Sequence, residues 1–409
     1  MLNTFQQSRH PALVNPSHDE ASRQEFTKSL RQFCQSRLLP GVKTVYEQRE
    51  AKNFERAYGR PAADRREIRN AMVGNPYFQT YALTNRVAQE MLWDSVITNI
   101  QRELPDLISR AKSLSAKAKG KLEIPDDFEV PKYITAIDIH CMPGGYATES
   151  CKDDIAAGLL YDRGAYLYGM GYVGPLSDDM GRSVAHFAKE RLPGLQPKRI
   201  LDMGCTIGNT TLPYKDVFPD AEVWGIDVAA PQVRYAHARA AGLGYDVNFA
   251  QMNAERTSFP DGHFDLIVSH MLLHETSGKA MPAIFRECHR LLSPGGYVIH
   301  SELPPFDDDL VSQFILDNET WYNNEPFWGA MREADQKQIC VAAGFAAADV
   351  NDDTTPMLMT VHAEGGAVGY SRDAAQEVSD RQYRAGEYAP GGGWSVLVAQ
   401  KSMKPASAH

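Results

Sequence analysis

Two glycines and an aspartate in the second half of the chain have the spacing of a nucleoside-binding loop. Asp202 lies near the end of an apolar, strand-like segment, and Gly204 and Gly208 follow in a short loop that also contains Cys205. Glycine lets the backbone turn tightly and approach a ligand without a Cβ atom in between. Ligands of parallel sheets bind where the strands end. We therefore expect Asp202 to accept a hydrogen bond from an ammonium group, directly or through water.

A dinucleotide-binding loop is the main alternative for this segment. Its G-x-G-x-x-G pattern places a pyrophosphate against the start of a helix. Counted from Gly204, the second and third glycine positions hold Thr206 and Asn209. Because two of the three glycines are missing, the pattern disfavours a NAD- or FAD-dependent oxidoreductase.

A second carboxylate stands about 20 residues further along the chain. Strand-like residues 222–227 end in Asp227, which is followed by Val228. At this spacing an acid typically accepts hydrogen bonds from ribose hydroxyls. The alternative is that Asp227 caps a helix that begins near Pro231. Its position at the end of a strand favours ribose binding.

Strand-like and helical segments alternate from Lys198 onward, which predicts a parallel sheet flanked by helices. The predicted strands are residues 199–203, 222–227, 247–252, 264–270 and 296–301. The predicted helices lie near residues 209–218, 231–241 and 280–292. Two further strands are expected at residues 347–350 and 394–399, separated by a long insert at residues 356–393.

The ordered segments ILDMGCTIG, VWGIDV, QMNAERTSFPDGHFDLIVSHMLLHE and ECHRLLSPGGYVIHSE resemble class I S-adenosylmethionine-dependent methyltransferases. The resemblance is strongest to the branch that includes the ubiquinone and menaquinone biosynthesis enzymes, and it covers about residues 198–302. It implies an α/β fold with a Rossmann-like class I methyltransferase sheet of seven strands. It also implies S-adenosyl-L-methionine as cofactor and methyl transfer to a small-molecule acceptor at an O, C, S or N atom.

The same resemblance implies which residues contact the cofactor. These are Asp202, Gly204 and Gly208 for the methionine part, Asp227 for the ribose, and Asn253 and Ala254 for the adenine. The chain departs from the family at Thr206, where a middle glycine is usual, and at Asn253, where aspartate is common. The amide oxygen of Asn253 can still accept a hydrogen bond from the adenine amino group. We therefore expect an active enzyme rather than a noncatalytic cofactor-binding module.

Two histidines follow the fourth predicted strand, His270 and His274. Histidine titrates near neutral pH and can take a proton from an acceptor, so both are candidate bases or positioning residues. His270 is also close enough to the loop to contact the cofactor. The alternative is that His270 hydrogen-bonds within the loop and that His274 packs below the cofactor. Amine and thioether acceptors need no base, so methyl transfer does not require either residue.

Aromatic residues outside the sheet are the candidate acceptor-binding residues. Four tyrosines and two tryptophans fall in two clusters: Tyr161, Tyr166, Tyr168 and Tyr172, then Trp321 and Trp328. The long insert at residues 356–393 is a third candidate, because loops of this length are usually functional or disordered. Core packing is the alternative for the aromatic side chains, which are mostly buried in proteins.

The first part of the chain predicts an added helical domain. Residues 21–118 have helical spacing, with breaks at Pro40-Gly41, Pro61, Pro76 and Pro105, and residues 112–127 have the composition of a linker. Residues 133–139 predict a strand and residues 177–191 a helix. We therefore divide the chain into a helical N-terminal domain (1–130), a connecting or substrate-lid segment (131–197) and the methyltransferase domain (198–409). The helices are expected either to cover the acceptor site or to form a homodimer.

Composition limits the class of partner. The 409 residues carry a formal net charge of -10, which disfavours nucleic acid and anionic membranes as partners. The six cysteines form no CxxC pair and no zinc ligand set, so no metal is expected. No signal peptide or membrane span is evident, which makes the cytoplasm the expected location.

Overall fold

The computed structural model describes residues 7–361, 368–370 and 392–403, and its first part is helical. A reciprocal pair of hydrogen bonds between Ser17 and Glu20 caps the first helix. The early helices are α1 (His18–Phe33), α2 (Leu39–Val45), α3 (Ala51–Tyr58) and α4 (Arg65–Met72). Single π-helical turns join α1 to α2 and α2 to α3, so the predicted break at Pro40-Gly41 is wrong. Pro40 is tolerated because it occupies the first turn of α2.

A helix of 40 residues, α5 (Pro76–Ser115), spans the N-terminal part of the protein. Asn75 caps it and Pro76 is its first residue, so Pro76 begins a helix rather than ending one. The predicted break at Pro105 is wrong, because the helix continues through this residue. Burial of Ile100 and Leu107 on either side offsets the lost backbone hydrogen bond. The first four residues of the predicted linker also belong to α5.

The segment at residues 133–139 is not a strand, so that prediction is wrong. It contains the short helix α6 (Lys132–Thr135) and a 3₁₀ turn at Ile139–Cys141. Ile134 and Ile139 are buried, five positions apart, while Ile137 is exposed. A strand with one buried face requires a period of two, which these residues lack. The helices α7 (Ala156–Tyr168) and α8 (Asp179–Arg191) follow.

The described residues form a sheet of eight strands, in the order β1-β4-β3-β2-β5-β6-β10-β7. The strands are β1 (Leu122–Glu123), β2 (Arg199–Met203), β3 (Glu222–Asp227), β4 (Asn248–Gln251), β5 (Phe264–His270), β6 (Leu292–Glu302), β7 (Val350–Pro356) and β10 (Gly393–Gln400). Neighbouring strands from β1 to β6 pair in parallel, and β10 pairs antiparallel with β6 and β7. Seven strands correspond to the expected ones, but the strand predicted at residues 347–350 is misplaced, because Ala347–Asp349 form a 3₁₀ turn and β7 begins at Val350. The eighth, β1, comes from the predicted linker and pairs with the edge strand β4.

Helices cover both faces of the sheet. Those between the strands are α9 (Pro213–Val217), α10 (Ala230–Leu243), α11 (Ala280–Leu291), α12 (Leu310–Leu316), α13 (Asn318–Tyr322), α14 (Trp328–Glu333) and α15 (Gln336–Ala342). One hydrophobic core lies on each face of the sheet, and a third hydrophobic core joins α5 and α7 to α10. The helix predicted at residues 209–218 is shorter than expected, because residues 209–212 form turns of the glycine loop.

Much of the predicted insert at residues 356–393 lies outside the described residues. Within the part that is described, β8 (Met359–Val361) pairs antiparallel with β9 (Val368–Tyr370). Across the described ranges, no helix combines the length and apolar character needed to cross a bilayer.

Candidate active site

A cavity of about 210 Å³ lies at the carboxyl ends of the parallel strands. The loops after β2, β3, β4 and β5 form one side of it, through Thr206, Asp227, Asn253 and His274 among others. The N-terminal part, α7 and the C-terminal region form the rest, so the cavity is built from segments far apart in sequence.

The loop after β2 requires glycine at two positions. Gly204 and Gly208 have φ angles of 74° and 72°, in the left-handed region. A Cβ at Gly204 would lie 2.7 Å from the side chain of Leu272, and one at Gly208 would lie 2.9 Å from that of Phe249. Both glycines therefore allow close packing as well as the turn. Gly204 lines the cavity, whereas Gly208 does not.

Asp227 connects this loop to the end of β3. Its Oδ2 accepts a hydrogen bond from the Thr206 amide at 3.0 Å, and its Oδ1 accepts one from the Ala229 amide at 2.9 Å. Burial raises the pKa of Asp227 to about 6, although these amides act in the opposite direction. Asp227 and Val228 both line the cavity.

Asp202 supports the loop from the interior. It is fully buried, and its Oδ2 accepts hydrogen bonds from the hydroxyls of Thr210 at 3.2 Å and Thr211 at 2.6 Å. Its Oδ1 lies 3.2 Å from Nδ1 of His270. Asp202 is not among the residues that line the cavity, and neither is the buried Cys205.

The adenine end expected from the sequence lies in the same cavity. Asn253 and Ala254 line it after β4, next to Met252. Oδ1 of Asn253 accepts a hydrogen bond from the Glu255 amide at 2.8 Å. The open backbone at Gly204, the Asp227 carboxylate and Asn253 thus surround one space. The polar groups of Asp227 and Asn253, with the space beside Gly204 that no Cβ atom fills, fit an adenosyl cofactor.

A network of histidine and glutamate side chains forms another part of the wall. Nε2 of His140 lies 2.9 Å from Oε1 of Glu275, which also accepts a hydrogen bond from the Tyr146 hydroxyl at 2.8 Å. Nδ1 of His140 lies 2.9 Å from Oε1 of Glu325. Burial alone lowers the pKa of His140, but the carboxylates of Glu325 and Glu275 outweigh it and raise this pKa to about 10.

The two histidines after β5 have different surroundings. Both ring nitrogens of His270 lie 3.2 Å from a partner, Oδ1 of Asp202 and the hydroxyl of Tyr214. His274 lies with Nδ1 2.7 Å from Oε1 of Glu302, and its ring packs edge-on against Trp328. Burial lowers the pKa of His274, but Glu302 and Glu275 outweigh it and raise this pKa well above the usual range. Both histidines line the cavity.

The core of this region matches known methyltransferases. Residues 200–296 match the family model described as a methyltransferase domain. A demethylmenaquinone methyltransferase of Thermus thermophilus is 36% identical over 111 residues, which are 27% of this chain and 49% of the relative. Phosphoethanolamine N-methyltransferase 1 of Arabidopsis thaliana is 34% identical over 105 residues, or 26% of this chain and 21% of the relative. The chain thus spans about half or less of these relatives.

This part of the chain is a class I S-adenosylmethionine-dependent methyltransferase domain. Among solved structures, the chain is similar to Haemonchus contortus phosphoethanolamine N-methyltransferase 2 in complex with S-adenosyl-L-methionine. The TM-score is 0.37 with 16% sequence identity, over 58% of this chain and 56% of that chain.

The methyltransferase cavity contains some of the predicted aromatic residues and not others. Tyr161 and Tyr168 line it from α7, and Trp328 lines it from α14. Tyr161, Ala165 and Tyr168 share one face of α7, as the helical period requires.

The other three predicted aromatic residues lie away from the methyltransferase cavity. Tyr166 is buried in the core that joins α5 and α7. Tyr172 packs against the core on one face of the sheet. Trp321 is 53% exposed and lies against the guanidinium of Arg69. Their role in acceptor binding stays a prediction from the sequence.

Several residues of the methyltransferase cavity were not identified from the sequence. His140 and Tyr146 come from the segment before α7, Glu275 directly follows His274, and Trp93 comes from α5. Glu275 could have been found by its place in the loop that follows β5. His140 and Trp93 carry no local signal, because their distance from the glycine loop depends on how α5 and the following turns pack.

Proposed function

We propose that this protein transfers a methyl group from S-adenosyl-L-methionine to a small-molecule acceptor bound in the same cavity. One observation carries the proposal: several of the residues expected to bind the cofactor, among them Gly204, Asp227 and Asn253, and a separate wall of aromatic and charged side chains enclose one space. A noncatalytic binding module needs only the cofactor-binding residues. An enzyme also needs the wall of aromatic and charged side chains, because the acceptor must be held in line with the transferred group.

The cofactor side of the proposal depends on a few named groups. Asp227 is expected to accept hydrogen bonds from the ribose hydroxyls, and Asn253 from the adenine amino group. Gly204 leaves room for the methionine part beside the backbone. When bound, S-adenosyl-L-methionine supplies an electrophilic methyl group. Asp202 acts indirectly, because it fixes the loop through Thr210 and Thr211 and does not line the cavity.

The acceptor side is expected to exclude water and to orient the acceptor. Tyr161, Tyr168 and Trp328 supply rigid aromatic surfaces. The ring of His140 packs edge-on against Tyr146 and Tyr168, so charged and aromatic groups alternate along this wall. Positioning of this kind provides much of the acceleration of a group transfer whose electrophile is already activated.

The N-terminal helices are proposed to cover the acceptor site. Trp93 of α5 lines the cavity, as do His140 and Tyr146 from the segment that follows. Dimerisation is the alternative role for this region, and an exposed apolar face favours it. Phe26 and Phe33 on α1 are exposed, as are Leu83, Val87 and Met91 on α5.

A cytoplasmic location is also proposed. All six cysteines lie within the described residues and are free thiols, and only Cys151 is exposed. Free thiols are typical of proteins in reducing compartments.

The proposal can be tested with the full chain and radiolabelled S-adenosyl-L-methionine. We expect S-adenosylhomocysteine to bind in calorimetry and labelled product to form with one or more members of a panel of small amines, phenols, thiols and acidic carbon compounds. Binding of NAD or FAD instead would indicate an oxidoreductase. Tight binding of S-adenosylhomocysteine with no turnover across the panel would indicate a noncatalytic module.

A further inference from the structure

His140, His274 and Glu325 form a compact group of potential metal ligands beside the cavity. One ligand atom from each residue lies within 4.8 Å of the other two. We infer that these three side chains hold a divalent transition-metal cation. The residues come from three separate regions of the chain: the turn before α7, the loop after β5 and the loop between α13 and α14.

Each histidine of this group is supported by a carboxylate on its other ring nitrogen. Nδ1 of His274 lies 2.7 Å from Oε1 of Glu302, and Nε2, which lies 3.6 Å from Oε1 of Glu275, is the nitrogen that would bind a cation. Nε2 of His140 lies 2.9 Å from Oε1 of Glu275, and Nδ1, which lies 3.1 Å from the amide nitrogen of Asn323, would exchange that contact for the cation. Histidines that bind metals almost always donate their second N–H in this way, which fixes the tautomer and orients the ring.

The supporting carboxylates are themselves held in place. Oε2 of Glu302 accepts the backbone amide of Leu273 at 2.8 Å, and Oε1 accepts that of Leu303 at 2.9 Å. Glu275 accepts the hydroxyl of Tyr146. Both histidines are therefore oriented before any ligand arrives, as a preformed metal site requires.

Glu325 provides an independent indication. Its side chain is fully buried, Oε1 lies 2.9 Å from Nδ1 of His140, and Oε2 has no hydrogen-bond partner. A buried carboxylate oxygen without a partner is costly. A cation between Glu325 and the two imidazoles would satisfy this oxygen, whereas the present hydrogen bonds do not.

The backbone at His140 is also unusual. Its φ angle is 55°, in the left-handed region, which non-glycine residues rarely adopt. Its carbonyl accepts hydrogen bonds from the side chains of Gln89 at 3.0 Å and Trp93 at 2.7 Å. Strain that the surrounding structure maintains is concentrated at functional sites. Here the strained turn places the imidazole of His140 against the carboxylates.

Two imidazole nitrogens and one carboxylate oxygen suit particular metals. This set is found with Zn²⁺ and Fe²⁺, whereas Mg²⁺ and Ca²⁺ prefer oxygen ligands. His140 and His274 line the cavity, while Glu325 lies behind them. Open coordination positions would then face the cavity. If the proposed methyl transfer is correct, an acceptor with an oxygen or nitrogen donor could bind there.

The test uses the full chain after treatment with a chelator, titrated with Zn²⁺, Co²⁺ and Mg²⁺ in separate calorimetric experiments. We expect one equivalent of Zn²⁺ or Co²⁺ to bind and Mg²⁺ not to bind. The Co²⁺ form should show the visible absorption bands of a low-coordinate site. Glu325→Gln and His274→Gln should abolish this binding, and Glu302→Gln should weaken it on the order of tenfold to a hundredfold. His289→Gln, outside the cavity, is the matched control and should bind normally.

Binding of S-adenosylhomocysteine by each variant serves as a separate test of folding and of the proposed function. Loss of metal binding with retained cofactor binding supports the metal site. Absence of Zn²⁺ and Co²⁺ binding in a parent protein that binds S-adenosylhomocysteine overturns it, and leaves the histidines and glutamates as an ion-pair network. Unchanged metal affinity in Glu325→Gln and His274→Gln, alone and combined, also overturns it, because the cation then binds elsewhere.

Discussion

The backbone amide of Thr206 donates a hydrogen bond to Oδ2 of Asp227 over 3.0 Å. Thr206 has a φ angle of 43°, an unfavourable value for a β-branched residue. Its hydroxyl bonds the amide oxygen of Asn209 at 3.4 Å. The carboxylate expected to bind the ribose therefore also stabilises the strained residue that replaces a glycine of the family.

Asp227→Asn should weaken S-adenosylhomocysteine binding on the order of tenfold to a hundredfold. The side-chain amide of asparagine keeps one oxygen that can accept a hydrogen bond from the loop, but it loses the negative charge. Hydrogen bonds from hydroxyls to a charged group contribute about 1.5–3 kcal/mol each, and part of this contribution is lost. Asparagine is preferable to alanine here, because alanine would also release the amides of Thr206 and Ala229. Calorimetry measures the dissociation constant directly.

Asp265→Asn is the matched control for that experiment. Asp265 also accepts two backbone amides, from Lys198 at 2.8 Å and Arg199 at 3.0 Å, but at the opposite end of β2 from the cavity. Its substitution should leave the dissociation constant unchanged. Equal weakening in both variants would mean that Asp227 acts only through the stability of the fold.

Cofactor affinity should fall as the pH is lowered. The pKa of Asp227 is raised to about 6 by burial, with Asp202 contributing in the same direction. Above this value the group is a carboxylate that can accept hydrogen bonds from the ribose, and below it the group is protonated. Between pH 7.5 and pH 5 the affinity should therefore fall on the order of tenfold, following the linkage of one proton. The Asp227→Asn variant should show a flat profile, and a parallel decline in both proteins would contradict this assignment.

A buried carboxylate in α7, that of Asp162, joins α10 to the first described residues of the chain. Asp162 lies within 3.2 Å of Nε of Arg239, accepts the hydroxyl of Tyr235 at 2.9 Å, and contacts Gln7 and His10. Asp162→Asn should lower the free energy of unfolding by about 3–5 kcal/mol, because it leaves the buried Arg239 without its charged partner. Urea denaturation provides the measurement.

Asp153→Asn is the control for Asp162→Asn. Asp153 pairs with Lys112 at 2.7 Å, and the side chain of Lys112 is exposed while that of Asp153 is partly exposed. Exposed pairs contribute about 0–1 kcal/mol. If Asp162→Asn and Asp153→Asn unfold at a similar urea concentration, the buried hydrogen-bond network of Asp162 is not important for stability.

Removal of residues 1–130 should prevent folding rather than merely expose the acceptor site. The deletion takes away β1 and α5, whose buried residues Trp93, Ile100 and Leu107 belong to the core that also contains Tyr235 of α10. We expect an insoluble product that does not bind S-adenosylhomocysteine. Leu83→Ser, on the exposed face of α5, should fold normally. The molar mass of this variant in light scattering then tests whether that face forms a dimer. A soluble, cofactor-binding truncated protein would show that the N-terminal part is separable.

The strand ends that carry the expected cofactor-binding residues could be predicted because these residues are close in sequence. Asp202, Gly204 and Asp227 occur at the ends of successive strands, and the predicted bounds of β2, β3 and β5 agree with the structure. The topology of a parallel sheet brings such strand ends together. Spacing along the chain is therefore sufficient to place them.

The charged part of the opposite wall could not be predicted in this way. His140, Glu275 and Glu325 are far apart in sequence, and they meet only because α5, α7 and the helices after β6 pack around the sheet. The sequence also indicated breaks at Pro40 and Pro105 that tertiary packing overrides. The histidines had no metal-ligand spacing, since each comes from a different segment.

The long helix α5 has a consequence for how the protein is made. Part of its apolar side is covered by residues that come about 90 to 120 positions after its last residue, among them Ile207, Ala229 and Tyr235. At about 5–20 residues per second, the ribosome needs roughly 5–25 s to synthesise the intervening chain. During this interval α1, and later α7, can pack against the helix, but the surface that α10 covers stays exposed. Chaperones that bind nascent apolar segments should therefore increase the yield of folded protein more than the size of its sheet would suggest.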